Sequence, residues 1–373
     1  MTAPPETGLP NFMFTPFALG RLHLANRIVM APMTRYFAPG GVPSADVAQY
    51  YARRAEGGAS LIISEGVFID HPSAGYNSTV PHFHGDAALA AWRDVLAAVH
   101  AAGGKMMPQL WHVGVQPQPG DMPDAARPPS SASGLLAPNQ KLGEPMSAKE
   151  IDLVIEAFAK SAAHAERLGF DGIELHGGHG YLIDSFFWHG TNIRPDEFGG
   201  DLAQRTRFAV EIVRACRNAT HANFPIGLRF SQWKNIDYDA KLAANPRDLE
   251  VFLTPLVEAG VDFLHCSTRR FWEPEFPDSH LNLAGWTKKI TGLPTIAVGS
   301  VGLSTDLFGS FGQDNTPTEM NLGQLEAMMA AGDFDLIAVG RALLADWEWP
   351  RKVMQGRTQD LRPFERDLLG TLF

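Results

Sequence analysis

One pattern governs what this chain can fold into: a helical stretch closes on glycine, and an apolar strand starts within a residue or two. It recurs in "AEGGASLIISEG", "HAAGGKMMPQLW", "ERLGFDGIELH", "VEAGVDFLHCS" and "MAAGDFDLIAVG". Glycine just past a helix supplies the left-handed cap and keeps the link to the next strand tight. With "RIVMAPM", "FPIGLRFS" and "LPTIAVGS" the strand count reaches eight, near residues 27–33, 59–65, 105–111, 171–176, 225–230, 261–266, 294–299 and 335–340. Amphipathic helical segments separate them. Ser147 and Glu150 have capping-box spacing, and Asn245-Pro246 offers an N-cap with proline at the first helical position. Strand and helix alternating in this way predict parallel pairing and an α/β fold of the closed (β/α)8 TIM-barrel type. A doubly wound open sheet is the alternative.

A bare barrel needs about 250 residues, and the surplus among the 373 present lies in strand-to-helix links. A loop insertion at 113–146 follows strand three, and 267–281 and 300–320 are also long. The long links therefore belong to the C-terminal face, where barrels of this type keep their active sites. The expectation is one domain over 1–373. A formal charge of −10 argues against nucleic acid or an anionic membrane as partner. No apolar run approaches the roughly 18 residues of a membrane span. The opening "MTAPPETGLPNFMF" lacks a basic segment before an apolar block, so a cytoplasmic location is expected. Cys216 and Cys266 are too few for a disulfide framework or an iron–sulfur cluster.

The strand ends on that face carry few polar residues. Strand four hands over through "ELHGGHGYLIDSFF", which sets His176, His179 and Tyr181 in a glycine-rich link. Gly299-Ser300 after strand seven and Gly340-Arg341 after strand eight stand where such barrels cradle phosphate. Arg229 ends strand five, where its cation would either favour a negatively charged group or form a rim ion pair. Three readings compete for the histidines: hydrogen-bond donors to a substrate oxygen, ligands of a metal-dependent hydrolase, or satisfied loop residues. Helical zinc motifs space two histidines four apart around a glutamate. Here glycines intervene and no second cluster completes a shell, so the donor reading is preferred and no metal is expected.

The chain resembles the old yellow enzyme family of FMN-dependent ene-reductases and NADH:flavin oxidoreductases. "FTPFALGRLHLANRIVMAPMTRY", "SEGVFI", "QLWHVG", "ELHGGHGYLIDSFF", "NIRPDEFGGDLAQRTRF" and "LIAVGRALLADW" carry the likeness in order along nearly the whole length. The resemblance implies an N-terminal β-hairpin at 12–26 and an FMN site. Gly299, Ser300, Gly340 and Arg341 would hold the phosphate. Pro32, Met33 and Thr34 would line the ring, Gly66 and Gln109 its pyrimidine edge, and His176 and Arg229 would lie beside it. It further implies substrate contacts from Tyr36, Trp111, His176 and His179. NADH or NADPH would be the reductant, and an activated alkene would take hydride from flavin N5 and a proton from Tyr181. A monomer or homodimer is expected, without the added flavin and nicotinamide domains of the dienoyl-CoA reductase branch. His179 replaces the asparagine of many members, and Ser300 stands where asparagine is common. A flavin-binding barrel without catalysis is the remaining alternative.

Overall fold

A computed structural model describes residues 12–373 apart from 119, 122–127, 304–314 and 317–320. The first eleven residues and parts of the 113–146 and 300–320 loops thus lie outside the described residues. The eight predicted strands form one closed parallel barrel in chain order. They are β1 Ile28–Met30, β2 Leu61–Phe68, β3 Lys105–Trp111, β4 Ile173–His176, β5 Ile226–Ser231, β6 Phe263–Ser267, β7 Thr295–Val298 and β8 Leu336–Val339. The open-sheet alternative is thereby excluded.

Two strands depart furthest from the sequence reading, each at its C-terminal end. β1 is short because Ala31 makes one more bond to Val339, and Pro32 then has no N–H to continue the ladder. β2 runs past residue 65 because a bulge between Ile63 and Gly66 lets pairing resume at Gly66↔Gln109, Val67↔Leu110 and Phe68↔Trp111. The helix signals act as their chemistry requires. Ser147 and Glu150 form the reciprocal capping box on helix Ala148–Leu168, which ends at left-handed Gly169. Asn245 caps helix Pro246–Ala259, which ends at left-handed Gly260.

Side chains alternate across each strand, so every strand feeds both the barrel interior and the helix layer. Outward, Leu110, Leu175, Leu228 and Leu264 stand side by side and join the core beneath the helices. Inward, Val29, Leu61, Ile63, Met107, Phe263, Ile296, Leu336 and Ala338 fill the lower barrel. Leu19, Leu22 and Leu24, from the hairpin of Phe17–Leu19 and Leu22–Leu24, pack against that floor. Two residues further along β3 to β6 the interior turns polar, with Gln109, Glu174, His176, Arg229, His265 and Ser267 all buried. This change from apolar floor to polar mouth positions the site. Among the described residues no helix is long and apolar enough to cross a membrane.

Candidate active site

Parallel register sets the polar residues in rows. His176 pairs with Arg229, and Arg229 with His265; one step below, Glu174 pairs with Gln109. The Glu174 carboxylate accepts from Gln109 Nε2 at 2.7 Å and lies 2.7 Å from His265 Nδ1. The Arg229 Nη2 donates to Ser267 Oγ at 3.2 Å. Both cysteines are buried and unbridged, and burial pushes their thiols up to about 12, so neither is poised to react.

The link after β4 is held from several sides. Gly177 N–H donates to the Arg229 carbonyl at 2.7 Å, and His179 N–H donates to Ser231 Oγ at 2.8 Å. Gly180, at φ +85°, turns the chain so that its N–H meets the Asp184 carboxylate at 2.6 Å. Asp184 in turn pairs with Lys234 at 2.6 Å, both side chains fully buried. Tyr181 then opens the short helix Leu182–Phe187.

These constraints gather the aromatic groups into one cluster. The His176 and His179 rings meet edge to face at 5.1 Å, and Tyr181 meets His176 likewise at 4.8 Å. Trp111 stacks beside His176 at 6.1 Å and lies 4.9 Å from Tyr181, edge to face. Trp233, which the sequence reading did not name, stacks on His179 at 4.5 Å. Burial, then the Arg229 cation, holds both imidazoles well below the ordinary histidine range, so each is neutral and offers one N–H. Burial raises the Tyr181 phenol above its ordinary value of 10.0, against hydrogen bonds from Asn235 and Gln118. It therefore keeps its proton at neutral pH.

Several buried polar atoms around this cluster have no protein partner: His176 Nδ1, Arg229 Nε, Trp111 Nε1 and His265 Nε2. Such atoms are costly unless something else satisfies them. A planar, hydrogen-bonding cofactor with a negatively charged edge fits the Arg229 and Trp111 donors, while His265, whose Nδ1–H faces the Glu174 carboxylate, presents a bare Nε2.

The remaining named residues lie at neighbouring strand ends. β7 and β8 pair through Val298↔Ala338, which brings Gly299-Ser300 beside Gly340-Arg341. Gly299, at φ +152°, passes so close to Thr268 that a Cβ would sit 2.8 Å from its carbonyl oxygen. A Cβ on Gly340 would be 3.5 Å from Met33 Sδ, and one on Gly66 would strike the Trp111 ring at 2.5 Å. Pro32, Met33 and Thr34 are half-buried on the non-ladder segment after β1. Five described non-glycine residues have positive φ; three of them, Tyr36, His179 and Ser300, are site residues named from sequence. Backbone strain of this kind is enriched at functional positions.

Glu65, between Ser64 and Gly66, accepts the Arg35 main-chain N–H at 2.9 Å. Burial pushes its carboxyl up to about 7, from 4.5, despite the Arg35 and Tyr51 contacts. A carboxyl raised in the fold favours the folded state most below its unfolded value, and that contribution is lost as pH climbs through the folded value. Relative to the parent, Glu65→Gln should therefore gain unfolding free energy between about pH 5 and about pH 8 in urea titrations. A difference independent of pH would overturn this.

Sequence reasoning missed Glu174, His265, Ser267 and the Asp184–Lys234 pair. The available signal was alternation: Glu174 precedes His176 by two, and His265 precedes Ser267 by two. Among the described residues no group of three or more His, Cys, Asp or Glu is arranged to hold a metal ion.

The family model described as NADH:flavin oxidoreductase / NADH oxidase family matches residues 12–360. NADH oxidase of Thermoanaerobacter brockii is 33% identical over 368 residues, 95% of this chain and 52% of that protein. The chain thus spans about half the length of that relative. Putative 12-oxophytodienoate reductase 2 of Oryza sativa subsp. japonica is 31% identical over 359 residues, 94% of this chain and 88% of that one. Among solved structures, morphinone reductase in complex with tetrahydroNAD superposes with a TM-score of 0.77 at 26% identity, covering 96% of this chain and 93% of that one.

Proposed function

The chain belongs to the old yellow enzyme family of NADH:flavin oxidoreductases, and from that premise we propose that it binds FMN and uses NADH or NADPH to reduce the C=C bond of activated alkenes, α,β-unsaturated carbonyls and nitroalkenes. One observation carries the reading. Two neutral imidazoles and a protonated phenol share the barrel mouth with a buried arginine whose Nε has no protein partner.

Arg229, Gln109 and Gly66 would hold the pyrimidine edge of FMN, Pro32, Met33 and Thr34 its ring, and Gly299, Ser300, Gly340 and Arg341 its phosphate. Bound there, FMN supplies hydride chemistry. The protein's part is electrostatic and protolytic. His176 and His179 each donate an N–H to the carbonyl or nitro oxygen of the alkene, where negative charge develops as hydride arrives. Being neutral, they keep this donor capacity across neutral pH. Tyr181 delivers a proton to the carbon next to the activating group. Tyr36 and Trp111 shape the substrate's space, and Trp111 also limits rotation of His176.

The test is optical. Purified protein loaded with FMN should be yellow, bleach anaerobically with NADH or NADPH, and regain colour when an enone is added. Failure to retain FMN would end the proposal. Bleaching without recolouring by any enone or nitroalkene would favour a flavin-binding barrel without ene-reductase turnover. We place such an enzyme in the cytoplasm, as a monomer or homodimer forming a single domain.

A further inference from the structure

The Ser267 hydroxyl lies between two residues of the proposed site. Arg229 Nη2 is 3.2 Å from Ser267 Oγ, and the same oxygen is 2.8 Å from His179 Nε2. All three side chains are buried, Ser267 at 2% exposure. Its position is fixed on the main-chain side too, because its carbonyl accepts the Trp233 indole N–H at 3.1 Å while the Trp233 ring stacks on His179. The contact therefore joins the ends of β5 and β6 to the link after β4.

Proton counting decides its direction. A guanidinium has donors only, so Arg229 must occupy a lone pair of Ser267 Oγ. The second lone pair could accept from a His179 Nε2–H, but the buried hydroxyl proton would then have no acceptor among the described contacts; with the hydroxyl donating to His179 Nε2 every group is satisfied. A neutral imidazole has one bare and one protonated nitrogen. In that arrangement Nε2 is bare, which leaves the proton of His179 on Nδ1.

We propose that Ser267 is a positioning residue that fixes His179 in its Nδ1–H form and links it to Arg229 through a directed chain of hydrogen bonds. The inference rests on the ene-reductase reading of the site for its purpose, though not for its geometry. A chain that begins at a cation polarises each donor after it, so the His179 N–H becomes a better donor to the substrate oxygen. Arg229 thus acts at both the cofactor edge and the substrate oxygen. The positive charges around His179, from Arg229 and Lys234, also oppose its protonation, which keeps Nε2 free to accept.

The experiment is nitrogen NMR on the full-length FMN-loaded protein carrying labelled histidine, with the His179 signals assigned by their loss in His179→Asn. In the parent, Nδ1 should be protonated and Nε2 bare. Ser267→Ala should shift His179 toward the Nε2–H form or a mixture and weaken binding of 4-hydroxybenzaldehyde by about tenfold, the loss expected for one directed hydrogen bond. Ser267→Thr, which keeps the hydroxyl, should restore both. A proton on Nε2 in the parent would overturn the assignment, as would unchanged tautomer and phenol affinity in Ser267→Ala. If the alanine variant does not fold, the parent spectrum and the threonine variant still decide. A protein with the stated tautomer but no turnover of any activated alkene would refute the ene-reductase reading and leave this one intact.

Discussion

Lys234→Met is expected to lose about 3–5 kcal/mol of folding free energy, the cost of stranding a buried charge when its partner is removed. The Lys234 ammonium is 2.6 Å from Asp184, and neither side chain reaches solvent. Without it the carboxylate keeps only the Gly180 N–H. The damage should centre on the site, since the Asn235 N–H beside Lys234 holds the His179 carbonyl at 3.2 Å. Burial already pushes the Asp184 carboxyl up and the Lys234 amine down. In the variant, Asp184 would be raised further, so folding would favour its protonated form. That contribution is present at low pH and lost as pH rises through the raised value, so the deficit against the parent should widen as pH climbs from the ordinary carboxylate range through that raised value. Adding Asp184→Asn should recover most of the loss, because an amide oxygen still accepts from Gly180 and needs no cation. Guanidinium unfolding of the three proteins is the measurement. A single-variant loss below about 1 kcal/mol, the scale of an exposed pair, would show that the pair does not hold the link.

That pair also marks where sequence reading stopped. The eight strands were legible because their signals are local: an apolar run, a glycine before it, a cap three residues from its partner. Ser147 with Glu150 and Gly169 with the following strand need only neighbours along the chain. The candidate site residues His176, His179, Tyr181 and Arg229 stood out for a related reason, since chemistry-bearing side chains contrast with apolar strand ends. Their supports were not. Asp184 finds Lys234 across 50 residues, His179 finds Ser267 across 88, and Glu174 finds His265 across 91. A glutamate inside "GIELH" or a histidine inside "DFLHCS" has no reason to look exceptional until barrel closure turns both inward. Closure also explains why the polar mouth lies on β3 to β6 while the glycines proposed to cradle phosphate end β7 and β8. The fold thus followed from periodicity, whereas the electrostatics of the site required register.

Tyr181→Phe isolates the chemical step, because it removes one oxygen and keeps the ring. The ring's edge contacts, 4.9 Å to Trp111 and 4.8 Å to His176, survive, so folding and the histidine geometry should hold. What disappears is a phenol whose proton burial retains and whose oxygen receives the Gln118 and Asn235 side chains. Those two contacts stabilise the charge left after the proton departs, which makes the phenol a usable acid despite its raised pKa. Loss of a positioned general acid costs about 10²- to 10⁴-fold, and it should fall on recolouring by a weakly activated enone. Bleaching by NADH or NADPH needs no proton from this residue and should keep its rate. A nitroalkene, whose product anion is a much weaker base, should suffer less than the enone. Rapid-mixing absorbance of the two half-reactions separates these outcomes. Equal slowing of both would mean that Tyr181 shapes the pocket and that the proton arrives from elsewhere.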